Sequence, residues 1–263
     1  MTASTPDLAQ WFERHESALL GYSGGVDSAV LAVVGARALG ERFLAVLGRS
    51  ASLSEAQLRQ ARSLAASHRV PLLELATAEL DDSEYRRNAP DRCFFCKREL
   101  WSRLSEVARA RGLSLVVDGT NADDLGEHRP GHAAGERVGV RSPLAELGWT
   151  KARVRDAARG LGLPIWDAPA APCLASRVRY GVAVTEERLG QVERAEAWLR
   201  DRGIEGNLRV RHHGSFARIE VDPPMFARLE AAWAEVTAAF GVFGFERVER
   251  DPAGYRRGSL LAS

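Results

Sequence analysis

Lysine is almost missing from this chain: Lys97 and Lys151 are its only two, although Lys and Arg together number 36. A compact ammonium and a planar guanidinium do different work, so lysines that persist among so many arginines are candidates for sites that need a point charge. Cysteine is scarce as well. Three thiols are too few for a disulfide framework and odd in number, which favours chemistry or a metal centre over covalent staples. Net charge is nearly absent: 36 basic residues against 35 acidic ones leave a formal +1, so no global field gathers a polyanion, and nucleic acid is not the expected partner. No apolar run approaches the roughly 18 residues of a membrane-spanning helix. The opening Met1-Thr-Ala-Ser-Thr-Pro lacks the basic and apolar regions of a signal peptide. No membrane partner is expected, and a cytoplasmic location follows by default.

What is present is a run of alternating elements. An amphipathic helix, about Asp7 to Ser17, leads into the apolar Leu19-Leu20-Gly21-Tyr22, which breaks into Ser23-Gly24-Gly25-Val26-Asp27-Ser28. Ala29 to Leu39 read as a buried helix, Phe43 to Leu47 as a strand, and Ser54 as the cap of a helix through about His68. Pro71 to Leu75, a helix from about Phe95 to Arg111 and a strand from Ser114 to Val117 continue the cycle. Strands alternating with helices of this length predict an α/β fold with an open parallel sheet covered on both faces. A polar loop, Thr120 to Gly135, and a helix, about Lys151 to Leu161, precede the prolines at 164, 169 and 172, where the pattern changes. Residues 1–180 are therefore read as one domain, and residues 181–263, opening with a helix from Thr185 to Arg202, as a smaller α+β domain.

A strand, then Ser-Gly-Gly-Val-Asp-Ser, then a helix offers backbone amides at a positive helix end, which suits a pyrophosphate. Gly24 and Gly25 let the backbone approach the ligand, Ser23 and Ser28 add hydroxyl donors, and Asp27 is a candidate ligand for Mg2+ bridging phosphates. No Walker pattern is present. The hexapeptide resembles the PP-loop of the ATP pyrophosphatase superfamily, which implies ATP as co-substrate, cleaved to AMP and pyrophosphate. A glycine-rich turn that binds nothing is the bland alternative.

Cys93-Phe94-Phe95-Cys96 sets two thiols at a helix start with Lys97 directly after, and Cys173 lies in Ala-Pro-Cys-Leu-Ala-Ser-Arg. Helix N-termini lower thiol pKa. Zinc on three cysteines plus His128 or His132, and inert buried thiols, are two readings of these residues. Near Gly214-Ser215 the sequence reads as a hairpin with a two-residue turn, which sets Arg211 opposite Arg218 and Arg209 opposite Glu220, while Leu208, Val210, Ile219 and Val221 point to the other face. A like-charge pair needs an anion or a carboxylate nearby, and a substrate phosphate would serve; a merely solvated charged face is the competing reading. Thr120, Asn121, Asp123, Asp124, Glu127 and Arg129 occupy the long polar loop, with Thr120 and Asn121 placed to meet nucleotide and Arg129 to grip phosphate.

The segments Asp118-Gly-Thr-Asn-Ala-Asp-Asp-Leu-Gly-Glu-His-Arg-Pro-Gly, Cys173-Leu-Ala-Ser-Arg-Val-Arg-Tyr-Gly and Leu208-Arg-Val-Arg-His-His-Gly-Ser-Phe-Ala-Arg-Ile-Glu-Val, with the PP-loop, resemble the LarE family over almost the whole chain. That resemblance implies a sulfur transferase that makes the thiolated nucleotide precursor of the nickel-pincer cofactor of lactate racemase, acting on a pyridinium dicarboxylate mononucleotide. It implies Cys173 as the sulfur centre, either sacrificed to dehydroalanine or, with Cys93 and Cys96, holding a [4Fe-4S] cluster that carries an extra sulfide from a sulfur donor. Lys97 would stabilise negative charge beside it, with Lys151 in a structural or nucleotide-touching role. Ser176, Arg177, Glu196, Arg209, Arg211 and Glu220 match substrate-site positions of the family, whose members are similar to homo-oligomers of hexameric form. A tRNA thiolase, an ammonia-using synthetase and a non-catalytic ATP sensor remain as the other readings of the PP-loop.

Overall fold

A computed structural model describes residues 5–126, 134–169 and 171–256. The chain divides into two compact units. The first comprises the chain up to Ser50, Glu55–Glu79 and Cys93–Ala171; the second comprises Ala51–Ser54, Leu80–Arg92 and the chain from Pro172. Among the described residues no helix is long and apolar enough to cross a membrane.

In the first unit, helix α1 (Pro6–Glu13) precedes β1 (Ala18–Tyr22), α2 (Val26–Leu39), β2 (Phe43–Arg49), α3 (Glu55–Ser67), β3 (Leu72–Ala76), α4 (Arg92–Ala110), β4 (Val116–Val117) and α5 (Lys151–Gly160). The four strands form one parallel sheet in the order β3-β2-β1-β4, with Ala18 beside Phe43 and Leu20 beside Val117. Strands covered on both faces read as continuous apolar runs, which accounts for Ala-Leu-Leu-Gly-Tyr in β1. Helix α2 buries Val30, Leu31, Val33 and Val34 together, so it is apolar all round instead of amphipathic. Trp101, Leu104 and Ala108, spaced three and four apart along α4, form a core with Leu19 and Val46. Because β1 lies between β2 and β4, the order of connection reverses there. The loops after β1 and β4 leave the same carboxyl edge at that reversal, where ligands bind in open α/β sheets.

The expected α/β fold is present, with local shifts. Helix α4 begins at Arg92 instead of Phe95, so Cys93 and Cys96 sit inside its first turns. The strand expected from Ser114 shrinks to two residues because Ser114 spends its amide on Ser17 Oγ (2.9 Å) and its hydroxyl on Ser17 O (2.9 Å).

The second unit has its own three-stranded sheet. Helix α6 (Glu186–Asp201) is capped by the Thr185 hydroxyl, which accepts from Arg188 N–H. Strands β5 (Leu208–His212) and β6 (Phe216–Val221) pair antiparallel, and after α7 (Phe226–Ala231) and α8 (Trp233–Phe243) the last strand, β7 (Arg247–Arg250), joins β6 in parallel. Leu199, Val210, Ile219, Val236 and Phe240 fill its core. The hairpin closes as the sequence predicts: Gly214 has φ +97°, His213 N–H donates to Phe216 O at 2.9 Å, and Arg211 faces Arg218 while Arg209 faces Glu220.

Within this unit Asn88, fully buried and at φ +57°, donates from Nδ2 to the carbonyls of Val178, Arg179 and Val182. Its Oδ1 accepts from Arg92, whose guanidinium also reaches Ala175 O at 2.9 Å.

His212, only 1% exposed, is 2.7 Å through Nε2 from Gln191 Oε1, and its Nδ1 accepts from Gly214 N–H at 3.2 Å. The Gly214 bond fixes the neutral ring with its proton on Nε2. Burial, then Arg188 and His213, push its pKa down to about 4. An unfolded histidine titrates near 6.5, so the neutral ring's contribution is complete above that pH and is lost as pH falls toward 4; for His212 it amounts to about 3 kcal/mol. His213 adds to the same window, held at about 4 by burial and by Arg218 and Arg179. Urea midpoints should therefore drop steeply between pH 7 and pH 4.5, and His212→Gln should narrow that difference. An unchanged pH dependence in the variant would refute the assignment.

Candidate active site

The turn after β1 is organised by its own serines. Ser28 Oγ donates to Gly25 O (3.0 Å) and accepts from Ser23 N–H (3.2 Å), with Ser23 Oγ 3.1 Å away. Gly24 sits at φ +75°, and a Cβ there would lie 2.7 Å from Ala61 Cβ, so glycine is required both by backbone conformation and by the close approach of α3. Gln60 Nε2 reaches Gly24 O at 3.4 Å. The result is a fixed loop ending in Gly25, the N-cap of α2, without a side-chain cap on the helix's first amides. Amides of this kind at a helix start suit a phosphate.

Asp27, in the first turn of α2, is met by residues following β4 and by the start of α5. Asn121 Nδ2 donates to Oδ1 at 3.1 Å, and Lys151 Nζ donates to Oδ2 at 2.5 Å. Asn121 is 2% exposed and locked: its Oδ1 accepts from Asp123 N–H (3.0 Å) and Asp124 N–H (3.3 Å). Thr120, expected at the nucleotide, gives its hydroxyl to Asp118 Oδ2 at 2.8 Å, and Ser142 Oγ donates to Asp118 Oδ1 at 2.7 Å. Thr120 and Asn121 thus shape the loop that flanks the PP-loop. Asp118 was missed by sequence reasoning, although it opens the quoted Asp-Gly-Thr-Asn segment. Of the two lysines, Lys151 is the one that reaches the PP-loop, whereas Lys97 rests its ammonium 5.2 Å from the centroid of the Trp101 ring. Glu127, His128, Arg129 and His132 lie outside the described residues.

Cys93 is exposed and Cys96 half-buried, three residues apart on α4 and so on one helix face. Cys173, half-buried, precedes the tight turn Leu174–Arg177. Its carbonyl accepts from Ser176 Oγ (2.7 Å) and Arg177 Nη1 (3.0 Å), and Leu174 N–H donates to Ser52 O (2.8 Å). These bonds hold the backbone at Cys173 without using its thiol. Among the described residues, no three His, Cys, Asp or Glu side chains stand preassembled around a metal position.

The charged face of the hairpin is buried, not solvated: Arg209 and Arg211 are 7% exposed and Glu220 3%. Arg211 sends Nε and Nη2 to Glu220 Oε2 (3.0 and 2.8 Å) and Nη1 to Ser176 O (2.9 Å). Arg177 grips Glu196 with two nitrogens (3.0 and 3.2 Å), and Glu196 Oε1 also accepts from Val210 N–H at 3.0 Å on the edge of β5. Arg218 turns to Glu249 at 3.3 Å. Protein carboxylates therefore neutralise the Arg211–Arg218 pair, for which a bound anion was one expectation. Arg209 lies over the Tyr255 ring, and burial, reinforced by Arg177, lowers its pKa. The structure gathers Ser176, Arg177, Glu196, Arg209, Arg211 and Glu220 around one hairpin of the second unit.

Residues 12–112 match the family described as NAD synthase, a span that includes the PP-loop and the Cys93–Cys96 pair. An uncharacterised protein of Synechocystis sp. is 41% identical over 97% of this chain and 95% of its own length. The pyridinium-3,5-bisthiocarboxylic acid mononucleotide synthase of Lactiplantibacillus plantarum is 31% identical over 91% of this chain and 87% of its own. This chain belongs to the LarE family. As a LarE protein it is an ATP-dependent sulfur transferase built on a PP-loop domain, which sets aside the non-catalytic sensor. A second uncharacterised relative, from Methanocaldococcus jannaschii, is 29% identical over 89% of each chain.

Proposed function

We propose that this enzyme adenylates a carboxylate of a pyridinium-3,5-dicarboxylate mononucleotide and converts it to a thiocarboxylate, a step in nickel-pincer nucleotide synthesis. The observation that carries the reading is the likeness to the L. plantarum synthase along nearly all of both chains, combined with the ordered Ser23–Ser28 turn. A substrate carboxylate oxygen attacks the α-phosphorus of ATP, pyrophosphate leaves, and the acyl adenylate so formed has AMP as its leaving group. A sulfur nucleophile at the oxidation level of sulfide then adds to the acyl carbon and expels AMP.

In this scheme Ser23, Gly24, Gly25 and Ser28 cradle the phosphates, Lys97 offsets negative charge, and the hairpin cluster of Ser176, Arg177, Glu196, Arg209, Arg211 and Glu220, with Arg177 and Arg211 already paired to carboxylates, lines the mononucleotide site. The donor set at Asp27 fits Mg2+: one carboxylate oxygen in the helix turn that follows the phosphate loop, already holding a cation, the Lys151 ammonium, is the share a protein gives to magnesium when phosphates supply the rest. Cys93, Cys96 and Cys173 are soft thiols, a set that fits an iron–sulfur cluster. When bound, a [4Fe-4S] cluster on these three supplies an iron open to exogenous sulfide.

The test is pyrophosphate release. It should require the dicarboxylate mononucleotide, and Asp27→Ala should lower it by about a hundredfold or more, the scale of losing a metal's charge stabilisation. Release at the wild-type rate from Asp27→Ala, or none from wild type given substrate, would overturn the proposal.

A further inference from the structure

We infer that Lys151 is a built-in counter-ion of the nucleotide site: its ammonium pairs with Asp27 and passes to a phosphate oxygen when ATP binds, which leaves the carboxylate to magnesium. The inference rests on the proposed role of Asp27 as magnesium ligand, and it assigns Lys151 a positioning role beyond it.

Both oxygens of Asp27 are occupied, but by unequal partners. Asn121, buried and tied to two backbone amides, fixes Oδ1. Lys151 takes Oδ2 from a position 39% exposed, against 20% for Asp27, and an ion pair so open to water is weak enough to exchange. Oδ2 is therefore the oxygen a metal can claim. The base of the lysine arm does not move freely, since Lys151 N–H donates to Asp123 Oδ2 at 2.8 Å and Thr150 caps the same helix start. Only the side chain is left to swing.

Residue type supports the same conclusion. Of 36 basic residues only two are lysine, and one of them stands here. A guanidinium would clamp the carboxylate with two parallel bonds, as Arg177 clamps Glu196. An ammonium makes a single contact that a divalent cation can displace, and its rotatable donors suit a phosphate oxygen afterwards.

The experiment uses the intact protein and two probes: Mn2+ titrated without nucleotide and followed by the electron paramagnetic resonance of free Mn2+, and ATP titrated in EDTA by calorimetry. Lys151→Met should raise Mn2+ affinity about threefold to fivefold by freeing the carboxylate, and weaken metal-free ATP binding about tenfold. Lys151→Arg should bind Mn2+ more weakly than wild type. Asp27→Asn should lose the Mn2+ site. If Asp27→Asn keeps wild-type Mn2+ affinity, the metal role of Asp27 fails; if Asp27→Asn loses it while Lys151→Met leaves both titrations unchanged, the counter-ion inference alone fails.

Discussion

Cys173→Ala is expected to abolish thiocarboxylate formation while pyrophosphate release continues at close to the wild-type rate. The bonds that secure this position run to the Cys173 carbonyl and to Leu174 N–H, so removing the thiol leaves Ser176, Arg177 and Ser52 in place. The loss should therefore be chemical, beyond about a thousandfold for a group that acts as the sulfur centre, with little change in stability. After anaerobic purification, iron and acid-labile sulfide should fall together in Cys173→Ala and in Cys93→Ala. Normal sulfur transfer by Cys173→Ala would end the mechanism; full transfer by Cys93→Ala and Cys96→Ala would leave Cys173 working alone.

Glu220→Ala should destabilise the second unit by about 3 to 5 kcal/mol, because it removes the carboxylate that takes two nitrogens of a buried guanidinium. Arg211 places two nitrogens on Glu220 Oε2 and is itself 7% exposed. Replacing both partners, as Arg211→Met with Glu220→Leu, should recover most of that loss, since an apolar pair of similar volume needs no counter-charge. Chemical denaturation followed by tryptophan fluorescence reads both variants, with Trp198 and Trp233 packed against the core of this unit. A loss below about 1 kcal/mol would mean that Arg211 has a second carboxylate to fall back on.

Features set by local chemistry were legible from the residues. The strand–turn–helix around Ser23–Ser28 and the register Arg211 to Arg218 both follow from short-range rules: glycine where φ is positive, and a period of two along a strand. Other features depend on partners remote in sequence, and these were not legible. Helix α4 gains its extra turn where Arg92 is held by Asn88 and by Ala175 O, the latter 83 residues away, and no apolar period announces such an anchor. Lys151 meets Asp27 across 124 residues, so its rarity could mark it, but only the fold could say what it touches. The charged face of the hairpin was ambiguous for the same reason. Alternation assigned the face, while its burial depends on Glu196, Ser176 and Glu220 converging there.

The second unit is not one continuous piece of chain: Ala51–Ser54 and Leu80–Arg92 belong to it, although the rest begins at Pro172. A fragment cut from Pro172 onward would therefore lack Asn88 and Ser52 and leave the carbonyls of Val178, Arg179 and Val182 without that buried donor. During synthesis, those two early segments must wait, unsealed, for more than half of the polypeptide to follow before their own domain can close around them.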